Sequence, residues 1–328
     1  MSIWDVSRKE VADSFNSRKF LLILGLFTLF SLGSVYMGIN SYQQEMEGFR
    51  SDGGFSPEKP TLLDVFAPML GLNMPLAAGL LALLLSYDFI SREREEGTVE
   101  LLLSYPVYRD EVINGKYLAG IFTLAISLLF ALGLSSGLAV YILGVVPGIN
   151  VLIRLSFVWL GTLVYMGFFM ALGSFLSTFF RSSWRSLIGG VLVLLFSLAT
   201  PLMANIAAGQ IYQYDPSPNT GVQRDVVREP GAEVADQEPR PQVEEDSGMS
   251  REEVMALRDR FSDRVSRLSP TTSYTNYVNE MLAQNPEQEI DPTVSESIDN
   301  AIGYIIFLLS ETFLAFTLSY AVFMRQDL

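Results

Sequence analysis

The chain has 328 residues, 49% of them hydrophobic, and a formal net charge of −14. A soluble protein this acidic is rarely this apolar, so charged and apolar residues must be segregated along the chain. Cysteine and histidine are both absent, which excludes disulfides, thiol nucleophiles, Ser-His-Asp triads and zinc or haem sites built on their usual ligands.

Residues 1–19 read as a cytoplasmic amphipathic helix lying on the membrane surface. Trp4, Val11 and Phe15 fall within about 40° of one another at ~100° per residue, and Asp5, Lys9 and Asp13 turn away. Six long runs follow that hold almost no charge: Phe20–Ile39, Val65–Tyr87, Tyr117–Val146, Leu155–Phe180, Ser186–Ala208 and Ala301–Met324. Each is long enough to cross ~30 Å of hydrocarbon. In lipid every backbone amide must be satisfied within its own segment, so all six are expected to be helices. The predicted fold is an all-α integral membrane protein with six transmembrane helices. The first run is too long for a signal peptide and no small-residue cleavage site follows it, so it is expected to remain as an anchor.

Lys and Arg in the short connections set orientation. One side carries Arg8, Lys9, Arg18, Lys19, Arg92, Arg94, Arg109, Lys116, Arg181, Arg185 and Arg325; the other carries only Arg50, Lys59 and Arg154. Both termini are therefore expected in the cytoplasm, with the chain in the plasma membrane. Residues 20–208 form transmembrane helices 1–5 with the cytoplasmic segment 88–116 between the second and third. Segment 209–300 then faces outward, with nineteen acidic and eight basic residues. Its stretch 215–248 has the composition of a disordered linker. Order should return at the capping box Ser250-Arg251-Glu252-Glu253, followed by Val254, Leu257, Phe261, Val265 and Leu268 at helical spacing. A second short helix is expected around Ser273–Ala283. These helices either bind an external partner or cap the membrane domain. Residues 301–328 are the sixth span and a short cytoplasmic tail. Arginine outnumbers lysine 18 to 4, which together with the acidity points to a halophilic organism.

Inside the membrane, Glu311 is the one ionisable residue well within a span. A mid-bilayer carboxylate costs about 2.5–3.5 kcal/mol on insertion scales. It is expected to be protonated, hydrogen-bonded to an amide such as Asn73 or Asn205, or exposed to a watery cavity; a pathway role and a structural role stand equal. Met166 and Met170, one turn apart, read as gap-filling rather than as a soft-metal site. Pro68 and Pro75 in the second run and Pro201 in the fifth predict irregular helices. Gly133 and Gly137 permit close helix packing in the third.

The most informative stretch runs from Asp88 to Lys116 on the cytoplasmic side. It predicts a charged turn, a helix begun near Thr98 and a stop at Pro106. Leu101 and Leu102 pack on the membrane domain while Arg92, Glu93, Arg94, Glu95 and Glu96 stay exposed. Gly97 supplies a backbone angle that a side chain would resist, and Thr98 caps the helix. Docking to a cytoplasmic protein and an ordinary topogenic loop are equal readings of these residues alone.

The pattern Asp–x5–Glu–x–Glu–x–Gly-Thr–x–Glu-Leu-Leu–x–Ser–x–Pro-Val, with a Gly-Lys opening the third span, resembles permeases of ABC-2 type ATP-binding-cassette transporters. It is most similar to the subfamily that includes the permease for nitrous-oxide-reductase maturation. The motif covers about thirty residues, and the layout of helix, six spans and external segment extends the resemblance along the whole chain. The resemblance implies that Glu93, Glu95, Gly97, Thr98, Glu100, Leu101, Leu102 and Pro106 sit against an ATPase subunit and pass its movement to the membrane helices. It also implies two permease subunits, identical or related, and two ATPase subunits, with ATP and Mg held by the ATPase. The chain has no phosphate-binding loop: Tyr117 follows Gly115-Lys116, and Asp110 stands where the first glycine belongs.

The reading is the membrane-spanning subunit of an ATP-driven exporter, with no catalytic residues, metal or cofactor of its own and no nucleic-acid partner. Left open are mechanotransmission to an extracytoplasmic protein without transport, and a non-transporting membrane scaffold or receptor. The substrate is not legible.

Overall fold

The computed structural model describes residues 8, 11–13, 15–51, 61–97, 109–180, 182–212, 251–282 and 292–325, and every regular element among them is helical. The elements are α1 (Arg18–Ser51), a π-helical turn (Pro68–Asn73), α2 (Met74–Ser86), α3 (Ser91–Glu95), α4 (Arg109–Leu143), α5 (Ile149–Phe179), α6 (Ser183–Ile211), α7 (Arg251–Ser266), α8 (Pro270–Met281) and α9 (Val294–Arg325). Among the described residues, six helical stretches are long and apolar enough to cross a membrane: Phe20–Ser51, Met74–Glu95, Glu111–Leu143, Ile149–Phe179, Ser183–Ile211 and Val294–Arg325. The chain is an all-α integral membrane protein. Of the N-terminal helix, Val11 and Phe15 are half-buried and Asp13 is exposed, as the sequence pattern predicts, and Phe15 meets Phe20 edge-on at 5.3 Å. Trp4, Asp5 and Lys9, the linker 215–248 and the second half of the charged segment, 98–108, lie outside the described residues.

The second span is irregular at its two prolines, as their positions predict. The run 65–87 is not one helix: Pro68 occupies the first turn of the π-helical segment and Pro75 the first turn of α2. The π-helical turn runs directly into α2, the Met74 N–H donating to the Met69 carbonyl, so the chain stays helical past both prolines but not regularly α-helical. The fifth span departs from that expectation. Pro201 lies inside α6, which stays helical to Ile211. The carbonyl that loses its partner to Pro201 is that of Ser197, four residues back, and it accepts the Ser269 hydroxyl at 2.8 Å.

The chain divides into two compact units, Met1–Thr200 with Arg267–Leu328, and Pro201–Ser266. In the first, α5 is central and packs against α2, α4, α8 and α9. Tyr165, Met166, Phe169 and Met170 of α5 are fully buried in one core, so the two methionines fill space as read. Glycines allow the approach: a side chain at Gly161 would collide with the Tyr277 ring, and one at Gly173 with the Ser86 hydroxyl. Gly133 and Gly137 take no part. They are exposed with nothing within 4 Å, so the close packing they permit is not used between the described helices of this chain.

Helix α8 belongs to this unit and takes the capping alternative. Thr271, Ser273, Tyr274, Tyr277, Val278 and Met281 are all buried. Its hydroxyls answer polar atoms on the spans: Tyr274 Oη meets Thr162 Oγ1 at 3.0 Å, Thr271 Oγ1 meets Ser197 Oγ at 2.7 Å, and Tyr277 donates to the Phe157 carbonyl at 2.7 Å. The α5 residue Tyr165 donates to the Pro75 carbonyl at 2.9 Å and stacks on Tyr274 with centroids 4.6 Å apart. Arg154, 5% exposed near the start of α5, holds the far end of α8. It donates to the Met281 carbonyl and Ser297 hydroxyl at 2.8 Å each, and to the Pro292 carbonyl at 2.5 Å.

In the second unit, Arg251–Ser266 is helical, and Ser250 of the expected capping box lies outside the described residues. Arg258 caps the C-terminal end of α6, donating to the Tyr212 carbonyl at 2.6 Å and the Gly209 carbonyl at 3.3 Å. A cation at a helix C-terminus also complements the helix dipole. Tyr212 packs edge-on against Phe261, and Ser262 donates to Asn205 Oδ1 at 2.6 Å.

Candidate functional site

The charged segment begins where α2 ends. Asp88-Phe89-Ile90 make a turn, and α3 is a short helix that the sequence pattern did not reveal. Its first amides need partners from elsewhere. The Ile90 and Ser91 N–H groups both donate to Ser177 Oγ on α5, at 2.9 and 3.0 Å. Ser91 Oγ lies 3.1 Å from Ser177 Oγ and donates to Ser183 Oγ at 3.0 Å. Three serines from three elements thus form one knot, with Ser91 and Ser177 buried and Ser183 half-buried.

Of the five charged residues read as exposed, Arg92, Glu95 and Glu96 are exposed while Glu93 and Arg94 are half-buried, and all five contact this protein's own groups. Glu93 Oε1 accepts from Lys116 Nζ of α4 at 3.0 Å, with the two side chains 19% and 9% exposed. Breaking an enclosed ion pair leaves a charge stranded, at a cost of about 3 kcal/mol. Arg94 donates to the Thr178 carbonyl in the last turn of α5 at 3.1 Å. Glu95 is exposed, yet its carboxylate caps α6: Oε1 accepts the Ser183 N–H at 2.9 Å and Oε2 the Ser183 hydroxyl at 3.0 Å. An anion at a helix N-terminus satisfies orphan amides and meets the positive end of the dipole. Only Arg92 and Glu96 pair in the open, at 2.8 Å with 62% and 52% exposure, a contact worth about 0.3–0.5 kcal/mol.

Gly97 adopts φ 69°, the left-handed region the sequence reading assigned to it, with nothing within 4 Å of an added side chain. Thr98, Glu100, Leu101, Leu102 and Pro106 lie outside the described residues. The structure therefore places Glu93, Glu95 and Gly97 on one turn, which Glu93 ties to α4, Arg94 to α5 and Glu95 to α6. Sequence reasoning missed Ser177, Thr178 and Ser183. A signal existed for Ser183 alone, since a serine just ahead of an apolar run marks a helix start.

No hydrogen bond joins the remaining polar candidates Glu311, Asn73 and Asn205 among the described residues. Glu311 is half-buried in α9 with Oε2 enclosed and without a hydrogen-bond partner. No hydrogen bond joins it to Asn73 among the described residues, and Asn205 is engaged by Ser262. No group of three or more Asp or Glu residues gathers to hold a metal ion among the described residues.

Residues 4–328 match the family described as ABC-2 family transporter protein. The chain is similar to the probable ABC transporter permease protein NosY of Pseudomonas aeruginosa, 35% identical over 219 residues that make up 64% of this chain and 73% of that protein. The protein of the same name from Stutzerimonas stutzeri is 34% identical over 131 residues, 40% of this chain and 43% of the relative. Six spanning helices and a match over nearly the whole length agree: the chain belongs to the ABC-2 family as a transporter permease.

Proposed function

We propose that this permease converts ATP hydrolysis on a separate ATPase into movement of its own helices, exporting a substrate. The supporting observation is the wiring of the turn after α2. Glu93, Arg94 and Glu95 tie it to α4, α5 and α6 respectively, so a push on one short segment reaches three spanning helices. In the working assembly two permeases pair with two ATPases, which hold ATP and Mg. The turn and both termini face the cytoplasm and 209–300 faces outward, as the imbalance of basic residues supports. Protease added to intact cells should then cut within 215–248, and protection of that stretch would reverse the orientation.

A second reading draws on α8. This helix is buried against α5 and α9 and lies within the segment read as outward-facing, so helix movement would reach an external protein directly. Mechanotransmission without transport is the corresponding function.

The test is co-purification with the ATPase. Wild-type permease should bring an ATPase with it and stimulate its hydrolysis. Gly97→Val forces a branched side chain into the left-handed region at a cost of about 1–3 kcal/mol. That variant should insert and express normally while losing the partner or the stimulation. Recovery of wild-type permease with no ATPase would leave a scaffold as the function. Full coupling in Gly97→Val would remove this turn from the mechanism.

A further inference from the structure

Helix α8 lies deeper than its polar composition suggests. Along α5 it runs from Arg154, which holds the Met281 carbonyl, to Thr162 and Tyr165, which meet Tyr274 and Thr271. Thr162 and Tyr165 stand near the middle of α5 (Ile149–Phe179). Ser197, 2.7 Å from Thr271, stands near the middle of α6 (Ser183–Ile211). The 12 residues of α8, at ~1.5 Å each, reach about half of a ~30 Å hydrocarbon core. We propose that α8 is a movable plug whose inner end withdraws during each ATP cycle and opens the outer half of the export path. The proposal rests on the transporter reading and the orientation argued above.

The contacts divide along the helix. At the outer end Val278 and Met281 are buried, and Arg154 gathers the Met281 and Pro292 carbonyls with the Ser297 hydroxyl, so this end is anchored. At the inner end the contacts are between hydroxyls. Tyr274 meets Thr162 at 3.0 Å, and Thr271 meets Ser197 at 2.7 Å and Tyr165 at 3.2 Å. Water can replace either partner in such a bond, so each resists separation only weakly. Thr162 also donates to the Val158 carbonyl at 2.7 Å and Tyr165 to the Pro75 carbonyl at 2.9 Å. Both therefore keep a partner within the spans when α8 leaves. A fixed cap at this depth gains more from apolar packing, whereas facing hydroxyls leave a wettable path when they part.

The chain has no cysteine, so any thiol introduced into it is its only one. The experiment uses the permease with its ATPase in liposomes. Ser197→Cys with Thr271→Cys replaces two hydroxyls 2.7 Å apart, within reach of a disulfide. Oxidation should pin the inner end of α8 to α6 and lower ATPase stimulation about tenfold, and a reductant should restore it. Each single variant should be indifferent to the oxidant. Thr162→Cys, buried beside Tyr274, gives a second measurement if the pair folds poorly. A water-soluble maleimide added outside should label it about tenfold faster during ATP turnover than without nucleotide. Ser127→Cys, equally buried on α4, should show no such gain. Stimulation that survives the disulfide would overturn the plug, as would a Thr162→Cys thiol whose reactivity ignores ATP. A wild-type complex without any stimulation would instead overturn the transporter reading, and the plug with it.

Discussion

Pro201 and Ser269 show how one residue far along the chain repairs what another breaks. Proline inside a helix removes a hydrogen bond and costs ~3 kcal/mol or more, yet α6 continues through Pro201. The Ser269 hydroxyl supplies the missing donor to the Ser197 carbonyl, and a second contact joins Ser197 Oγ to Ser269 Oγ at 2.8 Å. If this repair is why the proline is tolerated, the two residues must be coupled energetically. Ser269→Ala should destabilise the wild type by about 1–3 kcal/mol, because it leaves a buried carbonyl unpaired. In a Pro201→Ala background the helix recovers its own amide donor, and the same change should cost about 1 kcal/mol less. Thermal unfolding of the four variants in detergent measures the cycle. Equal costs in both backgrounds would mean that Ser269 merely packs there.

At the scale of elements, the informative case is α8. Its sequence, Pro-Thr-Thr-Ser-Tyr-Thr-Asn-Tyr, reads as a short polar helix of the soluble segment, and that existence and approximate position were legible. Its burial was not, because seven hydroxyl and amide side chains in a row signal solvent unless their partners are known. The partners are scattered over α5 and α6 at positions such as Thr162 and Ser197, which look like incidental polar residues in apolar runs. The six spans were legible for the opposite reason, since lipid imposes one pattern on each independently. Their ends were legible only where charge marks them, so the start of α2 at Met74 was lost in an apolar run that contains two prolines. Burial also sets a pH dependence for α8. Desolvation pushes the Tyr274 and Tyr277 phenols well above their ordinary value. The fold thus favours the neutral form, and the stability this contributes is complete below about pH 10 and is lost as pH rises beyond it. Unfolding temperatures should fall steeply across that range in wild type and less steeply in Tyr274→Phe with Tyr277→Phe. Parallel pH profiles for the two proteins would show these phenols to be hydrated.

For the whole molecule the question is whether the turn after α2 moves the spans as one piece. Glu95 and Ser183 are the cleanest link to examine, because Glu95 is exposed, Ser183 is only half-buried and neither belongs to the apolar core. If force passes through their contact, removing either partner breaks the same link, and removing the second adds nothing. Glu95→Ala and Ser183→Ala should each lower ATPase stimulation by about three- to tenfold, and the double variant should match the weaker single one. If the residues act separately, for instance with Glu95 touching the ATPase directly, the losses should multiply instead. The amount of ATPase recovered with each permease distinguishes these cases further, since a broken internal link leaves docking intact while a lost external contact weakens it. Ser183 is also the first residue of α6, so Ser183→Asp, which restores an oxygen acceptor at the helix start but not the Glu95 contact, controls for simple fraying. Stimulation restored by that variant would assign Ser183 to capping. Stimulation still lost, with the ATPase bound, would make the Glu95 contact the route by which α6 responds to ATP.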